Sequence, residues 1–152
     1  MKNPKYLYKS EEKFKHFEFI SEGRRGLIRK IVEYSVTGTE NVYNLGFGDY
    51  DETTGSINDL TITNNGDSIK VLSTVASTVY AFTKKYPKAW IFATGSTTVR
   101  TRLYRMGISN NLSEIQDDFK VFGLWIDDND WEDFVVGEDY KAFLITKKEN
   151  YI

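Results

Sequence analysis

DSIKVLSTVASTVYAFTKKY, residues 67–86, carries the strongest helical period in the chain: Ile69, Leu72, Val75, Ala76, Val79, Phe82 and Tyr86 recur at spacings of three and four. Asp67 stands where an N-cap belongs, and Pro87 lies just past the far end. A helix of this length reaches about 30 Å. Its β-branched residues lower its intrinsic propensity, so its apolar stripe must be held by packing against a partner layer.

The flanking sequence supplies that layer as strands. Phe17 and Phe19 alternate with His16, Glu18 and Ile20, residues 22–26 read as a turn, and Ile28, Val32, Tyr34 and Val36 then alternate with Arg29, Ile31, Glu33 and Ser35, which predicts a hairpin. Tyr43, Leu45 and Phe47 point one way, while Asn44, Gly46 and Gly48 leave the opposite face bare. A short strand is predicted over 57–63, with Leu60 and Ile62 inward. Further strands follow at 88–94, where Trp90, Ile91 and Phe92 imply burial on both faces, and at 119–126, 131–136 and 141–146. A second helix, 98–109, has Val99, Leu103 and Met106 as its inward stripe. The closing KKENYI is expected to fray. Together these elements predict one α+β domain over 1–152, a curved and mostly antiparallel sheet of seven or eight strands with two helices packed on it.

A chain of 152 residues buries roughly two thirds of its unfolded surface, enough to fold without a metal or disulfide. The absence of cysteine excludes disulfides, thiol nucleophiles and cysteine-ligated metal centres. No apolar run has signal-peptide or membrane-spanning length, so a cytoplasmic location without a membrane partner is expected. The net charge of -2 is unevenly spread: residues 84–105 hold six basic groups and no acid, whereas residues 106–140 sum to -9. Such a balance disfavours wholesale attraction to nucleic acid but permits a local anion site.

The basic segment contains GSTTVRTRLYR, residues 95–105. Ser96, Thr97 and Thr98 offer hydroxyls at a helix start, and Arg100, Arg102 and Arg105 offer planar forks for phosphate or carboxylate. On an ideal helix Arg102 and Arg105 lie about 60° apart and share a face, while Arg100 is about 200° from Arg102 and points elsewhere. The plainer alternative is that a threonine caps the helix and the arginines pair with acids. No P-loop pattern is present. Tyr43, Phe47, Tyr50 and Tyr104 are candidate stacking platforms for bases, although most aromatics in such a chain fill its core.

Asp49, Asp67 and neighbouring loop acids could pair for hydrolysis if their loops converge, and Asn65 lies in the second of those loops. Asp127, Asp128, Asp130, Glu132 and Asp133 invite a metal assignment, but the EF-hand frame from Asp127 places Glu132 where glycine is required, so a solvated acidic loop is expected and no metal. His16 is the single histidine, without a sequence-local nucleophile and acid for a triad.

The hairpin 21–31, NLGFGD at 44–49, NNGD at 64–67 and the glycine-serine-threonine to arginine-leucine-tyrosine pattern of 95–104 resemble a family of uncharacterised bacterial proteins of about 150 residues, close to the 152 here, met mainly in Bacteroidota. The resemblance covers most of the chain. It implies a compact α+β fold, transfers no activity, and favours reading the four motifs as one surface. The expected function is binding of a phosphate-bearing ligand or single-stranded nucleic acid at Ser96, Thr97, Thr98, Arg100, Arg102 and Arg105, with Asp49, Asn65 and Asp67 nearby and no cofactor. A homodimer built on an exposed edge or aromatic surface is the first alternative, and a hydrolase using the loop carboxylates is the second.

Overall fold

The computed structural model describes residues 3–58, 62–95, 97–127 and 129–151. In chain order these form β1 (Lys9–Ser10), β2 (His16–Gly23), β3 (Gly26–Val36), β4 (Val42–Asp51), β5 (Ser56–Ile57), α1 (Ser68–Lys85), β6 (Trp90–Ala93), α2 (Thr98–Asn110), α3 (Leu112–Asp118), β7 (Phe119–Trp125), β8 (Trp131–Asp133) and β9 (Tyr140–Lys147). The sheet runs β1-β2-β3-β4-β6-β9-β7-β8, with β5 attached to β4. Every pairing is antiparallel except β4 with β6, where α1 carries the chain back between two parallel strands. The result is one α+β domain with an open, mostly antiparallel sheet. Among the described residues no helix is long and apolar enough to cross a membrane.

Alternation sets the two faces. Phe17, Phe19, Val32, Tyr34, Leu45, Phe47, Ile91 and Ile145 point toward the helices and are buried. On α1, Phe82 stacks on Tyr34 with ring centroids 4.1 Å apart and meets Tyr43 edge-on at 5.0 Å. The helix is buried over much more than one stripe. Thr74, Thr78 and Thr83 are fully enclosed because each hydroxyl donates to a carbonyl one turn back, at 2.7, 2.7 and 2.8 Å.

Among the described residues nine strands and three α-helices exceed the expected count. The additional elements are short: β1 has two residues and no periodic signal, and α3 begins immediately after the Asn110-Asn111 pair that reads as a stop. Asn111 is both end and beginning, since its amide Nδ2 donates to Gly107 O at 2.8 Å while its own carbonyl accepts from Ile115 N at 3.0 Å. Of the strand expected over 57–63, the described residues form a strand at Ser56–Ile57, and residues 59–61, which include Leu60, lie outside the described residues. Residues 88–94 are not buried on both faces: Ile91 and Ala93 are buried, whereas Trp90 and Phe92 are only half-buried on the side without helices.

The α2 stripe is also displaced. Val99 and Met106 are exposed, Leu103 is half-buried where it lines an apolar cavity with Leu72 and Ile108, and the buried residues are Arg100, Tyr104, Gly107 and Ile108. The C-terminal segment is tied down: Lys148–Asn150 forms a 3-10 turn in which Asn150 Nδ2 donates to Pro87 O at 2.8 Å and Thr146 Oγ1 at 3.0 Å.

A candidate anion cleft beside helix α2

The turn from β6 into α2 is built around Gly95. A Cβ there would lie 2.4 Å from Thr101 N and 2.5 Å from the Arg100 Cβ, so the close approach requires glycine. Thr97 is the N-cap: its extended backbone leaves Oγ1 to accept from Arg100 N at 3.2 Å. Thr101 Oγ1 donates to Thr97 O at 3.1 Å and accepts from Gly95 N at 3.2 Å, which closes the turn. Ser96 lies outside the described residues.

From this rigid start the three arginines separate, with Arg100 pointing away from the other two as the helical spacing predicts. Arg100 is 8% exposed; its Nη1 donates to Phe47 O at 3.0 Å and its Nη2 to Asn58 O. It holds α2 against β4 and the segment after β5. Arg105 donates from Nη1 to Asp139 Oδ1 at 2.9 Å. Arg102 is exposed, and its guanidinium has no hydrogen bond or ion pair among the described residues.

Arg102 and Arg105, with Thr97, Thr98 and Thr101, form one wall of an open cleft of ≈ 560 Å³. Lys141 also lines it, its Nζ bonded to Asn129 Oδ1, and Phe92, Leu124 and Ile126 make the wall on the helix-free side of the sheet. These last four residues escape the sequence reading because they arrive from three different strands or strand ends. For Phe92 and Leu124 the signal is parity: Phe92 pairs with Leu144 on the outward face, Leu144 with Phe122, and Leu124 is two residues on along the same face; Lys141 lies at the register shift and carries no such signal.

A second cleft of ≈ 360 Å³ shares Thr94 and Gly95 and is floored by Gly46. There Ser56 Oγ donates to Glu33 Oε1 at 3.2 Å and His16 Nδ1 lies 3.5 Å from the same oxygen. With the carboxylate between them, histidine does not contact the serine hydroxyl in the order a nucleophilic triad needs. The bare glycine face is filled by Ile57: a Cβ on Gly48 would sit 2.6 Å from its Cγ2, and one on Gly46 3.1 Å from its Cδ1.

Asp49, Asn65 and Asp67 line neither cleft. Asp49 accepts from Lys30 Nζ and, at 2.9 Å, from Thr63 N, while Lys30, 1% exposed, also donates to Thr63 O at 2.9 Å. Asn65 is buried, with its side chain donating to Ser21 Oγ and Gly26 O and accepting from Arg25 N at 2.6 Å. Asp67 occupies the N-cap position of α1 but makes no side-chain cap; its Oδ2 instead accepts from Tyr6 at 2.5 Å and Ser21 at 2.6 Å. The hairpin, NLGFGD and NNGD motifs therefore meet as a buried polar web joined by Ser21, Lys30 and Asn65. They do not form a surface with Arg102.

The aromatic platforms shift as well. Phe47 and Tyr104 are core residues, Tyr43 packs on Phe82, and Tyr50 is covered by the Arg29 guanidinium 3.8 Å above its ring. Burial pushes the Tyr104 phenol up to about 12 against the opposing charge of Arg100. The outward aromatics are Trp90 against Phe122 at 6.3 Å, Phe92 against Trp131 at 6.3 Å, and Phe122 against Tyr151 at 5.2 Å. Asp128 lies outside the described residues, among which no group of three or more metal-ligating side chains occurs. Glu132 accepts from Tyr140 OH at 2.5 Å, and Asp133 pairs with Lys120 at 3.3 Å.

One family model, described as "Family of unknown function (DUF6934)", matches residues 2–148. No curated protein and no solved structure matches the chain.

Proposed function

From a chain that belongs to the DUF6934 family, whose description assigns no activity, we propose a function read from the cleft: it binds a phosphate-bearing ligand, in the cytoplasm, through Arg102 and Lys141. The observation that carries this reading is the Arg102 guanidinium, which lines a ligand-sized cleft and has no hydrogen bond or ion pair among the described residues. Arg105 is neutralised by Asp139 and helps shape the wall, and the Thr98 and Thr101 hydroxyls flank the same space. A planar fork and a compact ammonium lining one cleft suit a tetrahedral anion, with the fork fixing orientation and the ammonium adding charge.

Isothermal titration with inorganic phosphate and with ribose 5-phosphate, at low and moderate salt, tests the reading. Saturable binding that weakens with salt and is lost in Arg102→Ala supports it. Equal behaviour of wild type and Arg102→Ala, or no heat with either anion, overturns it. A homodimer across the outward aromatic face is the second reading, favoured by Trp131 and Tyr151, which are 42% and 53% exposed beside half-buried Phe92 and Phe122. A concentration-independent monomer in sedimentation removes that reading.

A further inference from the structure

The cleft has two chemically different walls. Arg102, Arg105 and Lys141 are cationic, whereas Phe92, Leu124 and Ile126 present an apolar strip, with Ile126 49% exposed. Trp131 extends that strip: it is the cross-strand partner of Leu124, and its ring meets Phe92 at 70°. Inorganic phosphate would use only the first wall. A ligand carrying a phosphate at one end and a flat, apolar-faced group at the other would use both.

Charge sets the size of that ligand. The Arg105–Asp139 pair is internally neutral, and Lys141 is held by the uncharged Asn129, so Arg102 and Lys141 leave two positive charges for the ligand. A phosphomonoester carries about -1.5 to -2 near neutral pH. A polymer adds one negative charge with each further nucleotide, and the strip ends at Ile126 beside Asp127, with Asp130 and Asp133 following in the described residues. Asp130 and Asp133 are exposed there. Asp133 is paired with Lys120 and Glu132 accepts from Tyr140, so exposed Asp127 and Asp130 are the acids that repel the second and later phosphates.

Resting on the anion-cleft reading above, we propose that the ligand is a mononucleotide, with its phosphate between Arg102 and Lys141 and its base against Phe92 and Trp131. The cleft volume of ≈ 560 Å³ falls within the range of small-ligand sites. Stacking is the added component: one base on an aromatic surface strengthens binding by about 10-fold or more relative to the same phosphate without it.

The test is a titration series with AMP, GMP, CMP and UMP, with ribose 5-phosphate, and with a short single-stranded oligonucleotide, on wild type, Arg102→Ala, Phe92→Leu and Trp131→Leu. The expected result is that at least one mononucleotide binds about 10-fold or more tightly than ribose 5-phosphate. Phe92→Leu and Trp131→Leu erase that difference without changing ribose 5-phosphate binding, and Arg102→Ala weakens both ligands. Circular dichroism of each variant reports the fold, and the two aromatic substitutions are independent routes to the same readout. If ribose 5-phosphate binds as well as every mononucleotide, the base site is overturned and the anion cleft stands. If the oligonucleotide binds more tightly than any mononucleotide, the exclusion of the polymer is overturned. Absence of binding by every ligand removes both proposals.

Discussion

Replacing Arg100 by alanine is expected to damage the fold, whereas replacing Arg102, two residues along, is not. The Arg100 guanidinium is almost fully enclosed and donates to two carbonyls, Phe47 O on β4 and Asn58 O after β5. A hydrogen bond from a charged donor contributes about 1.5–3 kcal/mol, and alanine also removes the buried stem, so Arg100→Ala is expected to cost about 3 kcal/mol. For a domain of this size that is a fall in Tm of about 6–12 °C. Arg100→Lys keeps the charge but not the fork, and a single ammonium reaches both carbonyls poorly, so it falls between the two. Arg102→Ala removes no side-chain hydrogen bond or ion pair among the described residues and should stay within about 0.5 kcal/mol of wild type. Urea unfolding of the three variants measures the order, with unchanged m-values confirming that the same surface unfolds. An Arg100→Ala protein as stable as wild type, or an Arg102→Ala protein destabilised equally, would refute this division between a structural and a ligand-facing arginine.

Three further perturbations probe the packing around the cleft. Gly107 lies inside α2 with a virtual Cβ 3.4 Å from Leu72 Cβ, ordinary contact, beside a small apolar cavity of ≈ 40 Å³ that both residues line, so Gly107→Ala should stabilise by about 1 kcal/mol and raise Tm by about 2–4 °C; a lower Tm refutes the space inferred there. Gly48→Ala places its methyl 2.6 Å from Ile57 Cγ2 and 3.2 Å from Arg100 Nη1, and should destabilise by about 1–3 kcal/mol, with Ile57→Ala recovering part of the loss in the double variant; additive losses in thermal melts count against the clash. Burial pushes the Tyr104 and Tyr140 phenols up to about 12, with the Glu132 carboxylate adding to the effect at Tyr140, so the stability linked to these neutral phenols is complete below their ordinary value near 10 and drains as pH rises toward 12. Phenolate absorbance followed alongside circular dichroism should show late-titrating tyrosines whose ionisation coincides with unfolding, and all ten titrating together near pH 10 in a folded protein would contradict it.

Periodicity made α1 and the β2–β3 hairpin legible because their buried positions are occupied by apolar side chains. The same rule misplaced the α2 stripe. It ranks Val99 inward, but the inward place belongs to Arg100, whose guanidinium is acceptable inside because two carbonyls accept from it. Lys30 follows the same logic: it shares an inward parity with Val32 and Tyr34, and Asp49 with Thr63 O supplies its missing solvation. Gly46 and Gly48 were readable as a bare face, but nothing local to them specifies that Ile57 fills it. The apolar wall of the cleft was hidden for a related reason, since Phe92 and Leu124 become neighbours only through the strand order β6-β9-β7.

Where recognition can occur follows from what the interior has already satisfied. Among the described residues every buried side-chain nitrogen and oxygen has a hydrogen-bond partner. The web of Ser21, Lys30, Asp49, Asn65 and Asp67 therefore has a sufficient structural role, closing the segment between β5 and α1 onto the β2–β3 hairpin and β4. Pulling Asp49 or Asp67 out to act as a catalytic acid or base would break bonds to Lys30, Thr63, Tyr6 or Ser21, which disfavours the hydrolase reading. Recognition is left to groups that meet solvent without protein partners, and Arg102 is such a group on the wall of a cleft. Because it is exposed, its attraction for an anion is screened and modest on its own; an affinity beyond the millimolar range, about -4 kcal/mol, requires the second, apolar wall to act with it. Affinity that depends jointly on Arg102 and Phe92 is the signature that separates a selective site from a surface charge.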